Sequence, residues 1–428
     1  MLDRNFITNN KEDFIAKLKM KTSDEELLKK AQSLISTIAE RKIQTSLVDQ
    51  LKSEFNKKTE SFRIRIKSLS EDDVSKVKSE LSIFKQEIEK ESLRLESLQY
   101  KEDSLLMEIP NIPSDSSPVG ASDKDNPIVF QHLENLAIKK DLTHDQIGSK
   151  LGILSGEDGA KLSGSRFTVL YGAAARLERS LINFFLNLHT SSGYEEVMTP
   201  YIVTREVMTG TGQLPKFEED LFAIKGKLSN QDAFLIPTAE VPVTNIYRDM
   251  ILNESALPIK HCCFSPCFRS EAGSAGRDTK GLIRLHQFHK VELVIISREE
   301  DSPHLLDTIT SDAKRCLEAL GLPYRVVERC SADLGFGGHK GYDLEVWMAG
   351  QGEYREISSC TSFSDFQARR AKIRYKNKDG KNVFAHTLNA SGLAIGRTMA
   401  AILEFYQDGD NVNIPDALIP YFGSQKLV

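Results

Sequence analysis

The chain has no apolar run approaching the roughly 18 residues a membrane span requires, and no signal-peptide pattern at its start. A cytoplasmic location without membrane contact is therefore expected. Its six cysteines (Cys262, Cys263, Cys267, Cys316, Cys330 and Cys360) include no paired C-x-x-C motif, and adjacent cysteines in a strand point to opposite faces. Reduced thiols are expected, and no zinc site is expected where His261, Cys262, Cys263 and Cys267 crowd together. Excess positive charge is also missing. A formal net charge of -5 excludes a wholesale polyanion binder while leaving room for a local basic patch. Gly335, Gly337 and Gly338 lack a following G-K-S/T, so they are turn glycines and not a phosphate loop.

What is present fits a globular chain of two or three domains: 428 residues, 40% hydrophobic and 27% charged. The first hundred residues carry two apolar series with heptad spacing. One runs through Leu27, Ala31, Leu34, Ile38, Val48, Phe55, Phe62, Ile66 and Leu69. The other runs through Val74, Val77, Leu81, Phe84, Ile88, Leu95, Leu98 and Leu105. Ser70 followed by Glu71, Asp72 and Asp73 reads as a helix cap with an acidic first turn. The pattern predicts an antiparallel coiled-coil hairpin with arms of roughly 45 to 60 Å. Lys57, Lys58, Arg63, Arg65 and Lys67 gather toward its tip, a solvated flank or a phosphate-contacting arm.

Four prolines between Met107 and Pro127 read as a linker. An amphipathic helix is predicted from Phe167 to His189, stopped by Gly193, and an extended segment follows to Pro200. Pro237-Thr238-Ala239-Glu240 leads into a helix beginning near Val241. Cys267 to Leu293 reads as two strands joined by a long basic loop containing Gly273, Gly276 and Asp278. Period-two geometry places Arg269 and Glu271 on one face of the first strand, and Phe288, Lys290 and Glu292 on one face of the second. Such a surface could clamp an anion and stack a base. Tyr354 to Cys360 reads as a strand and then a turn. Asn389 to Arg397 opens the apolar helix Thr398 to Tyr406.

F-R-x-E with its loop and following strand resembles the second motif of class II aminoacyl-tRNA synthetases. FRSEAGSAGRDTKGLIRLHQFHKVE is similar to the seryl family in particular. The helix, strand and Pro200 resemble the first motif, and Asn389 to Arg397 the third. GTGQLPKFEEDLF, from Gly210 to Phe222, and the tripeptide Thr238-Ala239-Glu240 also look like that family, as does an N-terminal coiled coil. The implied fold is α+β: an arm over 1–106, a linker over 107–127, and over 128–428 a class II catalytic domain on an antiparallel sheet flanked by helices. The implied activity is ATP-dependent activation of L-serine and its transfer to tRNA(Ser), with tRNA(Sec) a second candidate, by a homodimer whose interface includes Pro200.

By the same resemblance, Arg269 would bridge the serine carboxylate and the α-phosphate, and Arg397 would take the far phosphates. Glu356 and Ser359 would hold Mg²⁺, Glu271 would contact the adenine amino group, and Phe288 would stack on the base. Ser270, Ile357 and Ser358 complete the implied ATP site. Thr238, Ala239, Glu240, Glu292, Asn389 and Ser391, together with Arg269, complete the serine site. No segment resembles an editing domain, and Lys19-Met20-Lys21-Thr22-Ser23 has no HIGH partner that would make it a class I motif. Two other classes remain open: a tRNA-independent paralogue that activates an amino acid, and a non-catalytic coiled-coil RNA-binding protein.

Overall fold

The computed structural model describes residues 1–272 and 281–428, so the predicted turn at Gly273, Gly276 and Asp278 lies outside the described residues. The chain divides into two compact units, Met1–Pro110 and Asn111–Val428.

The first unit is built on α1 (Glu25–Arg65) and α2 (Glu71–Glu108), with two short helices preceding them. Asp24 caps α1 by accepting from the backbone N–H groups of Glu26 and Leu27 at 2.9 and 3.2 Å. The predicted cap of α2 is present, Ser70 Oγ accepting from Asp73 N at 3.2 Å. Both satisfy N–H groups that the helix itself cannot. Ala31, Leu34, Ile38 and Val48 form the buried stripe of α1, joined by Phe14 and Leu18 from the second short helix and Leu106 from α2. At 1.5 Å per residue, the 41 residues of α1 reach roughly 60 Å. Beyond Val48 no residue of either helix is buried until Glu102, so packing thins toward the tip; there Phe55 and Phe84 still meet edge to face at 6.0 Å.

The second unit is organised by an eight-stranded sheet. Its strands in chain order are β1 (Ile128–His132), β2 (Glu195–Glu196), β3 (Ile259–Phe268), β4 (Gln287–Ser297), β5 (Tyr324–Glu328), β6 (Lys340–Met348), β7 (Glu353–Ser362) and β8 (His386–Ala394). Their spatial order is β1-β5-β6-β7-β8-β4-β3-β2, and every pairing is antiparallel except β2 with β3. Around the sheet lie α3 (Ala173–Thr190), α4 (Glu240–Asn245), α5 (Ser302–Ala319), α6 (Phe366–Ala371) and α7 (Ile395–Phe405). Leu177 and Leu181 of α3, Ile309 of α5 and Met399 and Ile402 of α7 share one apolar core with Leu293, Leu344 and Leu388 from the strands. The antiparallel sheet with flanking helices is the expected α+β catalytic fold. No helix among the described residues is long and apolar enough to cross a membrane.

Three expectations need correction. The helix predicted from Phe167 begins at Ala173, because Val169–Leu170 is extended and pairs with Leu154–Ser155, and Gly172 turns the chain at φ 47°. β3 ends at Phe268, so Arg269 and Glu271 do not share a strand face; Glu271 has left the sheet with a left-handed backbone at φ 53°. Ser359 is not in a turn, since β7 continues to Ser362.

Candidate active site

Two irregularities in the sheet aim the polar side chains. Along β6 and β7, Leu344 faces Ser358 but Glu345 faces Glu356, which leaves Ile357 as an extra residue in β7. Along β4 and β8, Lys290 faces Ala394 but Glu292 faces Ser391, so three steps of β8 match two of β4. A bulge shifts the alternation of sides by one residue. Glu356 and Ser359, three apart, therefore line the same cavity, as do Ser391 and Ala394.

Two adjoining cavities open on this face. One, of about 190 Å³, is lined by Arg269, Glu271, Arg284, Phe288, Glu356, Ile357 and Arg397, with Gly396 at its edge. The other, of about 300 Å³, is lined by Thr238, Glu240, Glu292, Arg329, Ser359, Asn389 and Ser391. Thr211, Gly212, Gln213 and Phe217, from the segment Gly210 to Phe222, form one wall of the second cavity.

The second cavity holds two buried carboxylates, Glu240 from the start of α4 and Glu292 from β4. Asn389 joins them, its Nδ2 donating to Glu240 Oε2 at 2.8 Å and to Glu292 Oε1 at 2.9 Å. Gln367 Nε2 donates to the other oxygen of Glu240 at 2.6 Å, and Lys290 Nζ lies 2.5 Å from Glu292 Oε2. Burial, then the neighbouring Glu292 charge, pushes the Glu240 carboxyl up to about 7. Burial raises Glu292 as well, against the pull of Lys290. An ammonium ion entering between these carboxylates would supply charge compensation in place of the water that burial removed.

The first cavity is richer in cations. The Arg269 guanidinium lies 5.2 Å from the centre of the Phe288 ring, a cation–π distance, and its Nε donates weakly to Pro237 O at 3.4 Å. Arg284 Nη1 pairs with Glu271 at 2.6 Å. Arg397 donates to the Glu356 carbonyl, with the Glu356 carboxylate 3.8 Å away. Arg329 Nη1 donates to Ser359 Oγ at 3.0 Å. Asp343, opposite Ser359 on β6, has its carboxyl pushed up to about 7 by burial despite Arg329 beside it.

Not every expected residue reaches a cavity. Ser358 is buried, and its Oγ donates to the Ser391 carbonyl at 2.6 Å, fixing β8 from behind. Ser270 Oγ donates to Glu219 O at 2.6 Å. Ala239 is buried in the core beneath α4. Pro200 is exposed, outside the cleft. In the separate first unit, Lys57, Lys58, Arg63, Arg65 and Lys67 are all exposed, and Lys57, Lys58 and Arg65 flank a groove with Phe62, Leu69 and Val77 at its base. Sequence reasoning missed Arg284, Arg329 and Gln367. Nothing in local spacing marks them, because each reaches the cleft through tertiary packing.

Comparison with known proteins matches this geometry on both units. Residues 222–406 fit the model of the tRNA synthetase class II core domain (G, H, P, S and T), and residues 1–113 fit the seryl-tRNA synthetase N-terminal domain. The chain is 47% identical to the serine–tRNA ligase of Akkermansia muciniphila, covering 100% of this chain and 99% of that one. It is 48% identical to the serine–tRNA ligase of Campylobacter fetus over 98% of this chain and 100% of that one. Its fold superposes on the crystal structure of Pyrococcus horikoshii seryl-tRNA synthetase complexed with ATP with a TM-score of 0.92, at 34% identity, covering 100% and 99% of the two chains. With relatives matched from end to end at nearly half of all positions, and both domain models in the expected order, the chain belongs to the seryl-tRNA synthetase family.

Proposed function

We propose that the cleft carries out the serine–tRNA ligase reaction of the family, with its two cavities holding serine and ATP side by side. The observation that carries this reading is the pair of buried carboxylates, Glu240 and Glu292, joined by Asn389 and opening directly onto a cavity rich in arginine. The serine ammonium would lie between those carboxylates. Thr238, Glu240 and Ser391 would read its hydroxyl, with Asn389 setting the spacing. Alanine would leave these polar groups unpaired, a penalty that reaches 10⁴-fold or more in such sites. Threonine would be excluded by size.

In the first step a serine carboxylate oxygen attacks the α-phosphorus, the bond from that phosphorus to the bridging oxygen breaks, and pyrophosphate leaves. The acyl group then passes to the 3′-hydroxyl of the terminal tRNA adenosine, and AMP departs. Neither step needs a protein nucleophile, so the cleft acts by positioning and charge neutralisation. Arg269 would bridge the two reacting anions and Arg397 would take the far phosphates. Phe288 would stack on adenine and Glu271 would accept from its amino group, in a site completed by the backbone of Ser270, Ile357 and Ser358. Mg²⁺ would be held by Glu356 and Ser359 and would neutralise phosphate charge. Hard oxygens suit it, and among the described residues no group of three or more His, Cys, Asp or Glu is arranged to cage a metal, so phosphates and water would complete its shell.

The basic, exposed arm tip supports contact with the phosphates of tRNA(Ser), and tRNA(Sec) would be a second substrate through the same arm. Met198 and Ile202 flank Pro200 and are 82% and 44% exposed, which supports a homodimer closing over that edge. Six unpaired, buried cysteines support a reducing, cytoplasmic setting. The test is amino-acid-dependent ATP–pyrophosphate exchange across the twenty amino acids, followed by charging of total tRNA with the one that supports exchange. Exchange with serine alone, followed by charging, is expected. Exchange without charging would instead make the chain a tRNA-independent paralogue.

A further inference from the structure

Lys290 has no role in the reaction described above, yet it stands where the two cavities meet. Among the described residues, Arg269, Lys290, Glu356 and Ser391 line both, and of these Arg269 and Lys290 are the cations. The seam is where the amino-acid carboxylate and the α-phosphate must approach each other, two anions that repel in a partly dry site. Arg269 presents a planar fork, whereas a lysine ammonium is a compact charge on a flexible stem that can change partners. Lys290 is 7% exposed on β4, between Phe288 and Glu292 on the same face, with Nζ 2.5 Å from Glu292 Oε2. That ion pair serves as long as Glu292 has no other cation. A serine ammonium held by Glu240 and Glu292 makes the lysine redundant there and leaves it beside the substrate carboxylate.

Building on the serine-activating reading of the cleft, we infer that Lys290 is a second catalytic cation, moving from Glu292 to the serine carboxylate and α-phosphate when the substrate ammonium replaces it. The lysine acts as a charge alone, and no proton is transferred. The carboxylate oxygen supplies the electron pair to the α-phosphorus, and pyrophosphate leaves with the pair of the broken bond.

The test uses full-length protein carrying K290M, which keeps the length of the stem and removes the charge. Single-turnover adenylate formation at saturating serine is expected to fall about 10² to 10³-fold, while the serine Kd shifts less than about tenfold. A raised serine Kd with an unchanged single-turnover rate would overturn the inference, since Lys290 would then only position Glu292. Should K290M fail to fold, K290A supplemented with ethylammonium decides: the amine is expected to restore part of the lost rate, and no restoration overturns the proposal. Wild-type exchange with serine is the control, because its absence would remove the serine reading itself and the inference with it.

Discussion

In the hairpin of α1 and α2 the basic side chains proposed to meet tRNA lie along one stretch of chain and are exposed to solvent. In the cleft, Asn389 reaches Glu240 across 149 residues of sequence and Glu292 across 97, and both carboxylates are buried. The difference teaches where each unit is vulnerable. Exposed charges act additively and weakly, whereas desolvated groups in one network act together, so removing one strands the others. The arm should therefore lose function in small steps and the cleft all at once.

The largest effect should come from Arg269→Ala. Adenylate formation is expected to fall by 10³-fold or more with the oligomeric state unchanged in light scattering, and serine-dependent exchange above a tenth of wild type would break the contrast. Next, deleting residues 30–100 is expected to remove tRNA charging by at least about 10²-fold while exchange stays within about threefold. Unaffected charging would give the arm another role.

Glu240→Gln sharpens the comparison through pH. The Glu240 carboxyl titrates near 7 in the folded protein against an ordinary value of 4.5, so the folded state favours the acid. Its contribution to stability is fullest below 4.5 and is lost as pH rises to about 7, so the glutamine variant should melt above wild type at pH 8, by a margin that shrinks toward pH 5. Binding an ammonium needs the carboxylate, so kcat/KM for serine should rise with pH and level off above about 7. The variant should lose the part of that rise that Glu240 supplies, leaving only what Glu292 contributes, and show a KM raised about 10 to 100-fold. A wild-type profile flat from pH 5.5 to 8 would remove the charged-pair reading of the pocket.

Smaller still, replacing Lys57, Lys58 and Arg65 together by Glu is expected to lower kcat/KM for tRNA about 10 to 100-fold and flatten its dependence on salt, with exchange untouched. An unchanged salt slope would place the tRNA elsewhere. The smallest effect belongs to Gln44, whose Nε2 donates to Glu91 O at 2.9 Å and to its carboxylate at 2.7 Å. Gln44→Ala should lower stability by about 1 kcal/mol in urea titration, and charging should not change.

The same contrast explains what could be read before the structure. The hairpin announced itself because a coiled-coil seam repeats at every turn, and Ser70 marked its break. The strands around Cys267 and Phe288 were legible by alternation, and the three motifs were legible by family resemblance. Alternation fails wherever a bulge intervenes. The extra residue at Ile357 brings Glu356 and Ser359 to one cavity, whereas period two would have parted them. Arg269 and Glu271 were assigned to a strand that stops one residue earlier. Arg329 and Gln367 carry no local signal at all, since their partners Ser359 and Glu240 lie 30 and 127 residues away.

The buried cysteines have a practical consequence for watching this protein at work. Burial pushes the Cys262 and Cys360 thiols up to about 12 and Cys263 to about 11, and Cys267 and Cys316 are raised as well. The attacking form of a thiol is its thiolate, so the native protein should react sluggishly with maleimides near neutral pH. A single cysteine introduced at the exposed Lys67 would then be the fast-reacting position. One fluorophore could be placed at the arm tip of the otherwise unmodified chain, and the proposed docking of tRNA there could be followed in real time by the change in its emission.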